Sequence, residues 1–330
     1  MSYASAVRRG VAAASRLHRD LGSETRITHE GGQIDVAEAA STLGLVVLFR
    51  PLDKLLGAFV RAPQPGALIT TKRPLSVQRL TLAHELGHFL LQHNPSLDDE
   101  NVLRRAAIPN SGVDDQEVEA DAFAFEFLLP RWLFLFHCRR QGWLLDDLKK
   151  ASVVYQLSLR LGASYEATCR TLVRHRFASD SEAEDLLAAT PRNLKKALLG
   201  TYTPPDYRGD VWLLTRRDDN SIVDGNHNDL LVLRLEERSS AGYLWNIREP
   251  SHLSVVNDLR ATFDEDEIGA SVQRVITTQS EQRQRGELIL LEQRPWQPSD
   301  AVSQVTFRYD LTGPEEGLSR FDRRQRLEAA

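Results

Sequence analysis

A chain of 330 residues is longer than one ordinary domain, and with 42% apolar residues it can bury more than one core, so two or three domains are expected. The net charge of -5 excludes a protein whose main task is to coat nucleic acid, and two cysteines, Cys138 and Cys169, exclude a disulfide framework. The cysteines read as reduced packing residues of a cytoplasmic protein; no run reaches the length of a membrane span, and the stretch after Arg8 and Arg9 is too short and too polar for a secretory signal.

In chain order, residues 5–21 form an amphipathic helix with Val7, Val11, Ala14, Leu17 and Leu21 on one stripe. A second helix begins at Ile34 and ends at Gly44, ahead of an apolar strand, Leu45–Phe49. A hairpin follows: Gly57–Val60, a turn over Pro63–Gly66, then Ala67–Thr71. The strand Leu68, Ile69, Thr70 and Thr71, just ahead of the next helix, is the candidate edge against which an extended peptide would be laid. Residues 95–113 read as a loop, and helical periodicity returns from Asp114 to Leu129, where Pro130 stops it. The pattern stays helical from 131 to 200, with breaks near Gly142, Gly162 and Pro191, and Thr203–Pro205 is a linker. Beyond it come short strands at Val211–Leu214, Leu230–Leu235, Gln273–Thr277, Leu288–Leu291 and Val305–Tyr309, the mark of a β-sandwich. Residues 315–330 are expected to be a charged, frayed tail.

The most informative segment is His84-Glu85-Leu86-Gly87-His88, an HExxH zinc signature set in a helical pattern. Residues four apart share a helix face, so His84 and His88 can grip one ion, while Glu85, about 100° round from His84, can act on water beside it. Two imidazoles alone hold zinc too weakly, so a third ligand is needed and a fourth position stays open. A third histidine of the metzincin kind is excluded, because positions 91 and 94 are Leu91 and Asn94, and His93 falls off the ligand face as a helix-end residue. The acids of Glu117–Glu126 remain. Glu117 and Asp121 share a face at i and i+4, and Glu119 and Glu126 share roughly the opposite one. Glu117 is assigned as third ligand, with Asp121 accepting the free ring N–H of His84; Glu119 is the competing ligand, and a solvated acidic face is the plain alternative. Glu85 is the expected general base of peptide hydrolysis.

Arg79–His88, followed by Glu117-x-Glu119-Ala120-Asp121-x-Phe123-Ala124 and Leu128-Leu129-Pro130, resembles the ImmA/IrrE family of bacterial zinc peptidases. The resemblance covers residues 34–130 and implies an α+β, zincin-like (gluzincin-type) domain with one Zn2+. It also implies that the first Glu of the second motif, Glu117 here, completes the metal site. The partner it implies is a protein substrate, a helix-turn-helix repressor encoded nearby, whose cleavage switches on stress, phage or mobile-element genes. Leu157–Thr168, with Arg170, Arg174, His175 and Arg176 at or beyond its end, is a candidate turn and second helix of a helix-turn-helix-like segment with weak DNA contact.

The last domain is similar to the chagasin-type inhibitors of cysteine peptidases, through Ser239–Trp245, Ile268–Ser271 and Arg294-Pro295-Trp296. That resemblance covers residues 206–312 and implies an immunoglobulin-like sandwich with three loops at one end. Gly242, Tyr243, Trp245, Gly269, Arg294, Pro295 and Trp296 are the candidate protein-binding residues. Arg238-Ser239-Ser240-Ala241 replaces the usual Asn-Pro-Thr-Thr, which favours a protein-binding or sensing module over an inhibitor. The expected organisation is therefore a multidomain chain: peptidase domain 1–135, small helical domain 136–203, all-β sandwich 206–314 and tail 315–330. The expected function is a zinc endopeptidase acting on a repressor, the alternatives being a non-catalytic zinc-fold regulator or a cysteine peptidase inhibitor.

Overall fold

The computed structural model describes residues 2–98, 114–249, 251–262 and 272–328. The chain forms α1 (Tyr3–Asp20), α2 (Ser23–Glu30), α3 (Val36–Thr42), β1 (Val46–Arg50), β2 (Gly57–Val60), β3 (Gly66–Thr70), α4 (Leu75–Leu90) and β4 (Ser96–Asp98). There follow α5 (Asp115–Leu128), α6 (Arg131–Gln141), α7 (Ala151–Leu161), α8 (Tyr165–Arg174), α9 (Asp180–Ala188) and α10 (Pro191–Leu199). Strands β5 (Val211–Leu214), β6 (Ile222–Asp224), β7 (Leu230–Glu237), β8 (Leu244–Ile247), β9 (Leu253–Thr262), β10 (Val272–Ser280), β11 (Arg285–Arg294) and β12 (Gln297–Asp310) precede a last helix, α11 (Arg320–Glu328). α2, β4, β6, β8, β9 and α11 have no counterpart among the expected elements.

The chain divides into two compact units, Met1–Cys138 with Leu157–Leu187 and Pro314–Ala330, and Arg139–Gln156 with Ala188–Gly313. The expected helical domain 136–203 is therefore shared between the two units. In the first, the sheet order is β1-β3-β2-β4. β3 runs parallel to β1, with Leu68 opposite Leu48, and antiparallel to β2, with Leu68 also opposite Ala58. This corrects the expectation for Leu68, Ile69, Thr70 and Thr71: the strand is central, its backbone groups are used on both sides, and it cannot take up a further strand. Thr71 N–H is also spent, on Arg50 O. A hairpin pattern marks two strands as neighbours but says nothing about a third strand arriving from elsewhere.

The tail also departs from expectation. Phe49 and Gly317 exchange backbone hydrogen bonds of 2.7 and 2.9 Å, which covers the outer edge of β1. Gln78 of α4 accepts from Glu315 N and donates to Glu315 O, so residues 315–328 are tied to the first unit rather than frayed.

α1 lies against α5 at very close range, with a Cβ at Gly10 destined to stand 2.2 Å from Glu119 O. Asp35 caps α3 through Glu38 N–H and Asp114 caps α5 through Gln116 N–H, each a short polar side chain satisfying a donor that the helix leaves open. α4 ends in a Schellman turn: Gln92 takes a left-handed φ of 59°, His93 N–H bonds His88 O and Gln92 N–H bonds Phe89 O.

The second unit holds two four-stranded sheets, β5-β7-β10-β9 and β6-β12-β11-β8. Buried acids staple it. Glu237 of β7 accepts from Arg260, Arg274 and Trp245 N–H, and Glu292 of β11 takes both sides of the Arg238 guanidinium. Gln156 of α7 treats β5 as a strand would, donating to Val211 O and accepting from Leu213 N. Neither cysteine is in a disulfide, and both are buried.

His18, on the buried face of α1, is stacked on Phe127 with Trp132 against its edge, and burial pushes its pKa down to about 4. Because the folded pKa lies below the unfolded value of 6.5, stability is complete above pH 6.5 and is lost as pH falls toward 4. A His18→Phe variant should therefore keep about 3 kcal/mol of stability at pH 4 that the parent loses relative to neutral pH. Denaturant unfolding of both proteins between pH 7 and pH 4 checks this, and parallel pH profiles would refute it.

Candidate metal centre

Two helices build the site. α4 supplies His84 and His88, both wholly buried, with their Nε2 atoms 2.9 Å apart. α5 supplies Glu117, whose Oε2 lies 3.5 Å from His84 Nε2 and whose Oε1 lies 3.5 Å from His88 Nε2. The helices come this close because Gly87 faces α5: a Cβ there would press on Phe123 Cδ1 at 3.1 Å and Ala120 Cα at 3.2 Å.

The other ring nitrogens decide what the central atoms can do. His84 Nδ1 is 2.9 Å from Asp121 Oδ1, a carboxylate that favours a proton on Nδ1 and so the tautomer whose Nε2 lone pair turns inward. His88 Nδ1 is likewise occupied, 2.9 Å from His93 Nδ1. Two nitrogen lone pairs and a carboxylate then face one point, an arrangement that repels itself unless a cation joins the three. The donor set, two imidazoles and a carboxylate within 4.8 Å of one another, suits zinc with a fourth position for water.

Glu85 follows His84 along α4 and is fully buried. It is backed by the start of β2, where a Cβ on Gly57 would lie 2.3 Å from Glu85 Oε1 and 2.6 Å from Thr81 Cγ2. The strand thus comes so close behind the general-base candidate that only glycine fits.

The geometry brings together His84, His88, Glu117 and Asp121 as the spacing predicts. Glu119 does not reach the ligand point: its carboxylate, 2% exposed, lies 3.1 Å from His93 Nε2 and 2.9 Å from Arg9 Nη1. His93 does end the helix, yet its ring turns back onto His88. The Schellman turn explains this, since it folds the second residue past the cap over the residue five before it. A histidine at that distance from a ligand histidine is the signal that face counting on a straight helix misses.

Three of the basic residues near the 157–168 turn, Arg170, Arg174 and His175, are engaged in packing and pairing. Gly162 O accepts from Arg79 Nε, Arg170 pairs with Glu166 at 2.9 Å, and the Arg174 guanidinium lies 4.7 Å over the Phe125 ring. His175 Nε2 is 2.8 Å from Leu129 O.

In the second unit, Gly242, Tyr243, Arg294, Pro295 and Trp296 come together. The Arg294 guanidinium is 4.5 Å from the Tyr243 ring centroid, and the Trp296 ring covers Gly242 so closely that a Cβ there would stand 2.6 Å from it. Trp296 is 69% exposed. Trp245 is corrected to a core residue: it is fully buried and donates its indole N–H to Glu236 O. Gly269 lies outside the described residues.

Residues 40–173 match the IrrE N-terminal-like domain of the M78 peptidases. The chain carries an IrrE-like peptidase-family domain. Residues 226–311 match the chagasin family of peptidase inhibitors. No curated protein matches the chain. Among solved structures, a cysteine protease inhibitor of Entamoeba histolytica is similar at 22% identity over 32% of this chain and 99% of its own, with a TM-score of 0.30. Amebosin in solution is similar at 19% identity over 31% and 96%, with a TM-score of 0.27. A transcriptional regulator of Mycobacterium tuberculosis is similar at 11% identity over 84% and 82%, with a TM-score of 0.32. Among the described residues no helix is long and apolar enough to cross a membrane.

Gly57→Ala is expected to turn the Glu85 carboxylate away from its present place while His84, His88 and Glu117 stay together. A crystal structure of the variant checks this, and an unmoved Glu85 would refute the packing argument.

Proposed function

We propose that the IrrE-like unit is a cytoplasmic zinc endopeptidase that hydrolyses a peptide bond in a partner protein, a helix-turn-helix repressor encoded nearby. The observation that carries this reading is the convergence of His84 Nε2, His88 Nε2 and Glu117 on one point, with the buried Glu85 following His84 in the same helix. Bound there, zinc would act as a Lewis acid toward water and carbonyl oxygen.

The chain's own residues do the rest. Glu85 takes the proton of the attacking water on a carboxylate oxygen and later delivers it to the leaving amine nitrogen. Its burial beside Gly57 keeps bulk water from competing for that proton. Asp121, at 2.9 Å from His84 Nδ1, keeps that ring in the tautomer that turns Nε2 toward the ion. Two buried cysteines that form no disulfide support a reducing compartment. DNA contact by residues 157–176 is left out of the proposal, because Arg170 and Arg174 already pair with Glu166 and stack on Phe125.

For the second unit, the exposed Trp296 beside Tyr243 and Arg294 supports a protein-binding surface, since exposed aromatic and arginine side chains clustered at loop tips are the usual anchors of such contacts. We assign it to recruiting the substrate or receiving a signal. Inhibition of a papain-like peptidase by the full chain, abolished by Trp296→Ala, would replace this assignment with the inhibitor reading.

Glu85→Gln is expected to keep one zinc and the parent fold and to lower cleavage of the repressor by about 10²-fold or more, because proton transfer is removed and little else changes. Glu117→Ala is expected to lose the zinc. Metal analysis and a cleavage assay check both, and parent-rate cleavage by Glu85→Gln would overturn the mechanism.

A further inference from the structure

His88 Nδ1 and His93 Nδ1 lie 2.9 Å apart, and only one proton can sit between them. A zinc-bound His88 offers its Nε2 lone pair to the ion, so its proton is on Nδ1 and it donates to His93. His93, accepting at Nδ1, then carries its own proton on Nε2, which is 3.1 Å from Glu119 Oε2. The other oxygen of Glu119 is 2.9 Å from Arg9 Nη1. The direction of both imidazole donors, His88 to His93 and His93 to Glu119, follows from the single requirement at His88 Nε2, and Arg9 can only donate.

Burial gives the series its force. His88, His93 and Glu119 are 0, 5 and 2% exposed, and a carboxylate so far from water must be balanced by donors held in place. His93 supplies one from the end of α4 and Arg9 the other from α1. Gly10, next to Arg9, lets α1 approach within 2.2 Å, measured from a would-be Cβ, of the carbonyl of Glu119 itself. The two ligand histidines are therefore oriented differently, His84 by Asp121 directly and His88 through an intervening imidazole.

We propose that Glu119 and Arg9, acting through His93, position the His88 ring and raise the metal affinity of the site, which makes α1, outside the matched residues 40–173, a working part of the metal centre. The inference rests on the zinc reading above. His93, Glu119 and Arg9 are positioning residues and touch neither water nor substrate in this account.

The test is zinc affinity, measured by competition with a chromophoric chelator, together with the visible absorption of the cobalt-substituted protein. Expected losses follow the usual size for a partner hydrogen-bonded to a ligand histidine. His93→Leu should bind zinc about 10- to 100-fold more weakly and shift the cobalt bands. His93→Asn, whose amide oxygen can still accept from His88 Nδ1 but cannot reach Glu119, should recover part of the loss. Glu119→Gln should weaken binding in the parent, yet change it by less than about two-fold in the His93→Leu background, because the route to His88 is already cut. Should His93→Leu fail to fold, Glu119→Gln and His93→Asn carry the same comparison. Parent-like zinc affinity and parent-like cobalt spectra in folded variants would overturn this inference alone. A parent protein that binds no zinc would overturn it together with the reading beneath it.

Discussion

The distance between α4 and α5 is the constraint on which the rest of the first unit depends. Two of the metal-site atoms come from one helix and the third from the other, so the site exists only if the helices approach more closely than ordinary side chains allow. Gly87 on one side and Ala120 on the other make that approach, and Phe123 packs over the place where a side chain at position 87 would stand. The same logic is repeated on the other face of α5, where Gly10 admits α1, and behind α4, where Gly57 admits the strand beside Glu85. Close packing here positions charge: each glycine brings a carboxylate, of Glu117, Glu119 or Glu85, to where it has chemical neighbours.

Local periodicity made part of this legible. The i, i+4 spacing of His84 and His88, and of Glu117 and Asp121, states which side chains share a face, and helix geometry guarantees it once the helices form. The spacing also separates Glu117 from Glu119, which the structure places on opposite tasks. Non-local pairing was not legible. Nothing in residues 66–71 says that β1 will pair with β3, so a central strand reads as an edge, and nothing in 315–330 says that Gly317 will return to Phe49. His93 was hidden for a different reason: its role is created by a left-handed residue, Gln92, that reverses the chain after the helix ends.

In the second unit, five of the eight described strands were readable from alternation and turns, while the role of each aromatic was not. Trp245 and Trp296 occur in similar loop motifs, but Trp245 sits inside β8, where its N–H groups and carbonyl are taken by Glu237, Glu236 and Arg274, and Trp296 stands at a turn. Glu292 fixes Arg238 at the root of the loop that carries Gly242 and Tyr243, so the exposed cluster is mounted on an arginine anchored to a buried carboxylate. A stiff support of this kind suits recognition of a partner, because little order has to be gained on contact.

Anomalous diffraction at the zinc absorption edge, from crystals of the zinc-loaded protein, tests the central claim most directly. The account predicts one strong peak within about 2.2 Å of His84 Nε2, His88 Nε2 and a Glu117 oxygen, with a water completing the tetrahedron. A peak held by Glu119 in place of Glu117, or no peak between the two imidazoles, would contradict it.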